Sequence, residues 1–505
     1  MAVGRAWSIA LGGLHGTPVE IEADIGAGLP GTKLLGLPDA GLREAKDRVR
    51  AAVRNSGHSW PEQQVTLGLS PANLPKMGSA YDLAIAVATL AAAEVVPAAR
   101  LTGTVLLGEL ALDSRIRHVR GILPSLLAAR DAGMTRAVIP TGSLAEGTHV
   151  GHLDVVGADD LGAVLAWLRE EGELRAPPRQ VTSEPEPVGD LADVVGQPEA
   201  RYGLEVAAAG GHHMLLIGPP GIGKTMLAHR LPGLLPPLSD EEALEVTAVR
   251  SIDGSLPAHA PLVRVPPLVA PHHSTSVAAL IGGGSGLAAP GAISKAHRGV
   301  LLLDEACEFG PDRLEALRTA LEEGRIRLAR SRGVVTYPAR FQLVLATNPC
   351  PCAPPRESEC RCSPAARRGY LDKLSGPLLD RVDIRVRMRP VTALEASEQV
   401  AGESTAAVRE RVCQARERAR QRWTAAGYDW LVNAEVPGPV LRREFALPEP
   451  VTAPLERALS RSAITARGAD RCLRLAWTLG DLAGRERPVR EDIAAALEFR
   501  DRSAA

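Results

Sequence analysis

The chain has 505 residues, 45% of them apolar and 23% charged, with a net charge of −1. This profile excludes a disordered chain, and the near-neutral balance excludes attraction to nucleic acid by overall charge; any such contact needs a local basic face. The longest apolar run, Leu83 to Ala93, is too short to cross a bilayer. The start of the chain lacks the basic region, apolar core and cleavage site of a signal peptide. Seven cysteines, four of them clustered, fit a reducing cytoplasm better than a disulfide scaffold.

Residues Ala2 to Ile25 alternate and read as a hairpin. Pro38 opens a helical pattern that Gly57 closes, and Gln64 to Leu69 reads as a strand. The turn Pro75-Lys76-Met77-Gly78-Ser79-Ala80 precedes an apolar helix from Asp82. A strand over Val105 to Leu112, a helix over Leu123 to Gly133 and a strand at Ala137 to Pro140 complete an α/β domain, assigned to residues 1–170. Leu107-Gly108-Glu109-Leu110, the helix ending at Gly133 and the Pro75-Lys76-x-Gly78 turn resemble the proteolytic domain of Lon proteases. The resemblance implies a Ser-Lys dyad, but its two positions fall on Ala80 and Leu123. Neither side chain has a lone pair to attack or a proton to relay, and Ser79 is one residue off register. The expectation is a Lon-like fold without peptidase activity.

A polar, Pro-rich linker follows over residues 171–188. The next domain, residues 189–392, carries Gly218-Pro219-Pro220-Gly221-Ile222-Gly223-Lys224-Thr225 after the apolar strand His213 to Ile217. This is the G-x-x-x-x-G-K-[ST] spacing of a phosphate-binding loop in its required context, a strand before and a helix after. The glycines let backbone N–H groups turn toward the phosphates of ATP, and the helix N-terminus adds its dipole. Lys224 reaches the β- and γ-phosphates, and the Thr225 hydroxyl holds Mg²⁺. Gly299 to Leu303 is a second buried-type strand, ending in Asp304 and Glu305. Asp304 is expected to hold Mg²⁺ through water, and Glu305 to polarise the attacking water as general base.

Between these motifs lie Ala270-Pro271-His272-His273-Ser274-Thr275-Ser276 and Pro290-Gly291-Ala292-Ile293-Ser294-Lys295-Ala296-His297. The His272-His273 pair suits a structural or substrate-facing role better than a metal site, because no acid or thiol lies nearby in sequence. With the nucleotide motifs and the cysteine cluster, this insert resembles the YifB/ComM family of magnesium-chelatase-like AAA+ ATPases, over nearly the whole chain. The pattern departs at Leu268-Val269, where the family has Phe-Arg, so no role of that arginine carries over.

The resemblance implies an AAA+ αβα core with a C-terminal helical lid, residues 393–505, and assembly into a homo-hexameric ring. It places Asp190 to Gln197 against the adenine, Asn348 as the sensor beside the γ-phosphate, Arg381 as a finger entering the neighbouring site, and Arg467 as the lid sensor. It also directs the hairpin Gly324 to Pro338 into the ring's pore. Arg325, Arg327, Arg330 and Arg332 decorate that hairpin with no acid between them, a pattern suited to DNA phosphates. Cys350, Cys352, Cys360 and Cys362 bring four thiols within 13 residues. That count suits Zn²⁺, though C-x-C is tighter than the usual knuckle, and a redox-sensitive or merely packed loop stays open. Arg409 to Arg422 holds six arginines and reads as a solvated helix face. Two functions follow from the resemblance: a DNA-acting ring motor with ComM-like helicase or branch-migration activity, or a chelatase-type ATPase that remodels a protein partner for metal insertion.

Overall fold

The computed structural model describes residues 3–36, 40–178, 189–257, 259, 262–284, 288–330, 333–355, 359–390 and 402–500. The first domain is built on a seven-stranded sheet. Its spatial order is Gly31–Leu35, Gln64–Ser70, His15–Gly26, Gly4–Gly12, Thr104–Leu106, Arg136–Pro140 and Asp154–Ala158. The opening hairpin pairs Gly4 with Ala23 through Gly12 with His15, and its alternation puts Val19, Ile21 and Ala23 in the core. Helix Asp82–Ala92 is buried at every position, which explains its apolar composition. The strand expected over Val105 to Leu112 breaks at Gly108, and Glu109–Leu110 pairs instead with Ile116–Arg117. A Cβ at residue 108 would lie 2.5 Å from the Ile116 side chain, so only glycine fits that corner.

The second domain holds five parallel strands in the order Leu268–Val269, Val300–Leu303, Gln342–Thr347, Met214–Ile217 and Ile384–Arg387. The three central strands are buried at every residue, as unbroken apolar runs require when both faces are covered. Because all five run parallel, their C-terminal ends share one edge of the sheet and their N-terminal ends the other. Met214–Ile217 comes first in the chain yet lies between later strands, so the phosphate-binding loop emerges at the switch point where such sheets bind ligands. The helix expected to continue past the loop is short: Lys224–Ala228 ends at His229, and Leu231–Leu234 follows with Pro232 inside it. The first part of the linker, residues 171–178, is described; the rest of it lies outside the described residues.

The C-terminal helices Thr405–Ala425, Glu449–Ser460, Ala466–Leu482 and Arg490–Glu498 share one core with a face of this sheet. Trp423 sits at its centre, edge-on to Phe445 and Trp477, with its indole N–H donating to Asn433 at 3.1 Å. The arginines of Thr405–Ala425 do not form a solvated face. Arg411 grips Glu205 and Glu403, Arg416 donates to Ala208 O, Arg418 and Arg422 hold Asp481, and Arg409 donates to Gly233 O. Only Arg420 stays on its own helix, paired with Glu417. Arg409, Arg411 and Arg416 thereby tie this helix to the sheet domain, and Arg418 and Arg422 tie it to helix Ala466–Leu482.

The first domain rests on helix Asp240–Asp253 of the second. Ser251 Oγ donates to the buried Glu146 at 2.5 Å, and Gly121 N donates to Ser251 O at 3.1 Å. Burial raises the Glu146 carboxyl above its usual range, against these hydrogen bonds. Among the described residues no helix is long and apolar enough to cross a membrane.

Candidate nucleotide site and arginine cleft

At the C-terminal edge of the five-stranded sheet the expected residues converge. Gly221 and Gly223 adopt φ of +78° and +91°, conformations that side chains rarely take, and Gly218 N donates to Thr347 O at 3.1 Å. Lys224 Nζ donates to the carbonyls of Gly218 and Pro219 at 2.7 and 2.8 Å and to Asn348 Oδ1 at 3.1 Å. Burial lowers its ammonium below the ordinary value, and no carboxylate contacts it directly. A cation held only by neutral oxygens, beside turned backbone N–H groups, fits a polyphosphate. Thr225 Oγ1 donates to Asp304 Oδ2 at 2.7 Å, so the two expected Mg²⁺ ligands already touch. A cleft of about 460 Å³ opens beside the loop, lined by Pro220, Gly221, Ile222, Gly223, Asp193 and Val195, the last two from the segment expected against the adenine.

Glu305 lies next to this site with φ of +52°, a strained backbone that turns its side chain out of the strand line. Its carboxylate meets His273 Nδ1 at 3.1 Å. Sequence spacing did not reveal this pair, since 32 residues separate its members. His273 stacks on His272 with centroids 4.0 Å apart, and His272 Nδ1 bonds Ser274 Oγ at 2.7 Å. The histidine pair therefore has an acid beside it after all, and that acid is the expected general base.

The expected finger, Arg381, and the expected lid sensor, Arg467, lie elsewhere. Arg381 and Arg467 line a separate cleft of about 250 Å³ with Arg471, Arg474, Glu322, Asp470 and His213. Arg381 pairs with Glu322 and donates to Pro377 O at 2.6 Å. Burial, together with the neighbouring arginines, lowers its guanidinium. Arg471, one helical turn beyond Arg467, meets Asp383 at 2.6 Å, and Asp383 N donates to His213 O. His213 precedes strand Met214–Ile217, whereas Lys224 follows it. The strand's length, about 13 Å at 3.3 Å per residue, thus separates the two ends. Asn348 joins Lys224 within one chain; Arg381 and Arg467 join each other at the opposite edge.

Comparison with known proteins decides the family. The family described as "Magnesium chelatase, subunit ChlI" matches residues 190–396, "Subunit ChlI of Mg-chelatase" matches 21–143, and "Magnesium chelatase, subunit ChlI C-terminal" matches 402–500. The Escherichia coli protein YifB is 41% identical over 489 residues, covering 97% of this chain and 95% of its own. Competence protein ComM of Haemophilus influenzae is 38% identical over 508 residues, covering 99% and 98%. A Mycobacterium tuberculosis protein, Rv2897c, is 57% identical over the full length of both chains. The chain belongs to the YifB/ComM family of magnesium-chelatase-like proteins. Members of the magnesium-chelatase family are AAA+ ATPases, which implies use of ATP and Mg²⁺.

The remaining features of this YifB/ComM chain are less uniform. In the hairpin Arg325–Arg330 and Gly333–Pro338, Ile326 and Leu328 face the core while Arg325 and Arg327 project outward. Both arginines meet Glu323 at 3.2 Å, so the expectation of cations without a counter-ion is corrected: the acid precedes the hairpin. The Arg330 side chain and Arg332 lie outside the described residues. The sulfurs of Cys350, Cys352, Cys360 and Cys362 all lie within 4.8 Å of one another. Hydrogen bonds, led by one with Cys362, lower the Cys352 thiol to about 7. In the first domain Leu123 is fully buried and Ser79 bonds Glu109. Lys76 is buried among the Leu69 and Pro71 carbonyls. Neither lysine nor hydroxyl faces the other as a dyad would demand.

Proposed function

We propose that this chain is an ATP-hydrolysing ring motor that acts on DNA, a homo-hexamer with the helicase or branch-migration activity its resemblance to ComM implies. The observation that carries this reading is the division of the site between the two edges of one sheet. Lys224, Thr225, Asp304, Glu305 and Asn348 gather at one edge, and Arg381 with Arg467 gathers at the other. A single chain cannot bring both sets to one phosphate; a head-to-tail neighbour can. ATP with Mg²⁺ supplies a phosphoanhydride whose cleavage releases the driving free energy. Lys224 and the loop backbone hold the phosphates, Thr225 and Asp304 hold the metal, and Glu305 accepts a proton from the attacking water. Arg381 and Arg467 of the next protomer neutralise the charge that develops on the transferred group.

DNA as the track is supported by the outward Arg325 and Arg327 and by the relative named a competence protein. Glu323 leaves that pair with a net positive charge, which a phosphate backbone satisfies. The test is ATP turnover with and without forked or four-way DNA at two salt concentrations. Stimulation that weakens with salt and vanishes in Lys224→Ala is expected. Stimulation by a partner protein alone would favour remodelling of a metal-insertion partner instead.

A further inference from the structure

The cysteine cluster follows Asn348 by two residues and is used by no step above. Its geometry is specific. Cys350 and Cys352 sulfurs are 3.4 Å apart, Cys352 and Cys360 3.6 Å, and Cys360 and Cys350 3.4 Å. Cys362 bonds Cys352 and closes the set. Four thiolates around one Zn²⁺ at about 2.3 Å would stand about 3.8 Å apart, close to this arrangement. All four cysteines are free, and each of the three measured separations is far longer than a disulfide. One backbone bond closes the turn of the first pair: Ala353 N donates to Cys350 O at 3.2 Å. Ala353 takes a left-handed φ of +42° in that turn, a conformation non-glycine residues rarely adopt. The loop also reaches the nucleotide site, because Pro355, between the two cysteine pairs, lines the cleft with Pro220, Gly221 and Gly223.

We propose that Cys350, Cys352, Cys360 and Cys362 bind one Zn²⁺, and that this ion clamps Pro355 against the nucleotide cleft. Binding releases the thiol protons and involves no redox step. The metal half stands on the sulfur geometry alone; the clamp half rests on the nucleotide reading above.

The experiment measures metal content of the full-length chain after purification without added metal. Wild type and Lys224→Ala should both carry about one zinc per chain, since the ion needs no hydrolysis, and Cys352→Ser/Cys360→Ser should carry less than about a tenth. Cobalt replacement should give a thiolate charge-transfer band in the first two only. Stripping zinc from wild type with a chelator should weaken binding of a fluorescent ATP analogue with Mg²⁺ about tenfold, and adding zinc back should restore it, which covers a double variant that fails to fold. Wild type that binds no zinc even when supplied with it, or a double variant that keeps it, would overturn the site. Zinc lost with unchanged nucleotide affinity would overturn the clamp. Zinc present in a chain that binds no nucleotide at all would leave the site standing and sink the nucleotide reading instead.

Discussion

Two inactive variants should rescue each other. Lys224→Ala destroys the phosphate grip but leaves the arginine cleft; Arg467→Ala does the reverse. The cleft stands about 13 Å, one strand length, from the protomer's own loop, while a working contact needs about 3 Å. Each variant alone should lose about 10³-fold or more in turnover, the scale on which such arginines act. In a random equal mixture each interface has about one chance in four of joining an intact loop to an intact cleft, whatever the ring size. Turnover should therefore return to roughly a quarter of wild type, against almost nothing for either variant separately. The assay is steady-state phosphate release after mixing under conditions that exchange subunits, with mixed assemblies verified by differential tags. Arg381→Ala should behave as Arg467→Ala does. Mixed assemblies that stay inactive would show Arg467 working within its own chain and would refute the two-edge argument.

Burial lowers His213 to about 4, and its Nδ1 accepts a hydrogen bond from Leu343 N at 3.0 Å, which only the unprotonated nitrogen can do. The folded value lies below the unfolded one of about 6.5, so this contribution is complete above about pH 6.5 and is lost as pH falls toward about 4. His213 is only half-buried, and screening by water limits the loss to roughly 1–2 kcal/mol. Urea unfolding at pH 7 and pH 4.5 measures it; an unchanged pH slope in His213→Gln would refute the assignment. His273→Ala frees the Glu305 carboxylate, and basal ATP turnover should rise about threefold by the general-base argument. A fall as deep as that of Glu305→Gln would mean that His273 orients the base for reaction. Arg325→Ala/Arg327→Ala should reduce the slope of DNA affinity against salt by about two and leave basal turnover intact; an unchanged slope would remove this hairpin from the DNA path.

The nucleotide residues were legible because their spacing is local: seven residues span Gly218 to Lys224, and an unbroken apolar strand delivers Asp304. The cysteine cluster was legible for the same reason. What failed to show was pairing across distance. Nothing in the order of residues announces that His273 meets Glu305, or that Arg416 donates to Ala208, 208 positions away. Glu323 escaped because it ends the helix Pro311–Glu323 and so lies outside the hairpin whose charges were counted. The strands Gly31–Leu35 and Asp154–Ala158 went unread. The first is edge and exposed at alternate positions, so it lacks an apolar run; the second ends in Gly157 and Ala158, weak strand formers.

The turn joining the first two strands has a consequence of its own. Gly13 adopts φ of +71°, and a Cβ there would stand 2.3 Å from Thr336 O of the arginine hairpin, while Leu11 and Leu14 pack into the second domain's apolar interior. Backbone rests on backbone at that seam, with no room for a side chain between them. The leading domain is thereby a fitted collar: when the hairpin shifts, the collar must shift too, and a bulky residue at position 13 would part the two while sparing every group that touches ATP.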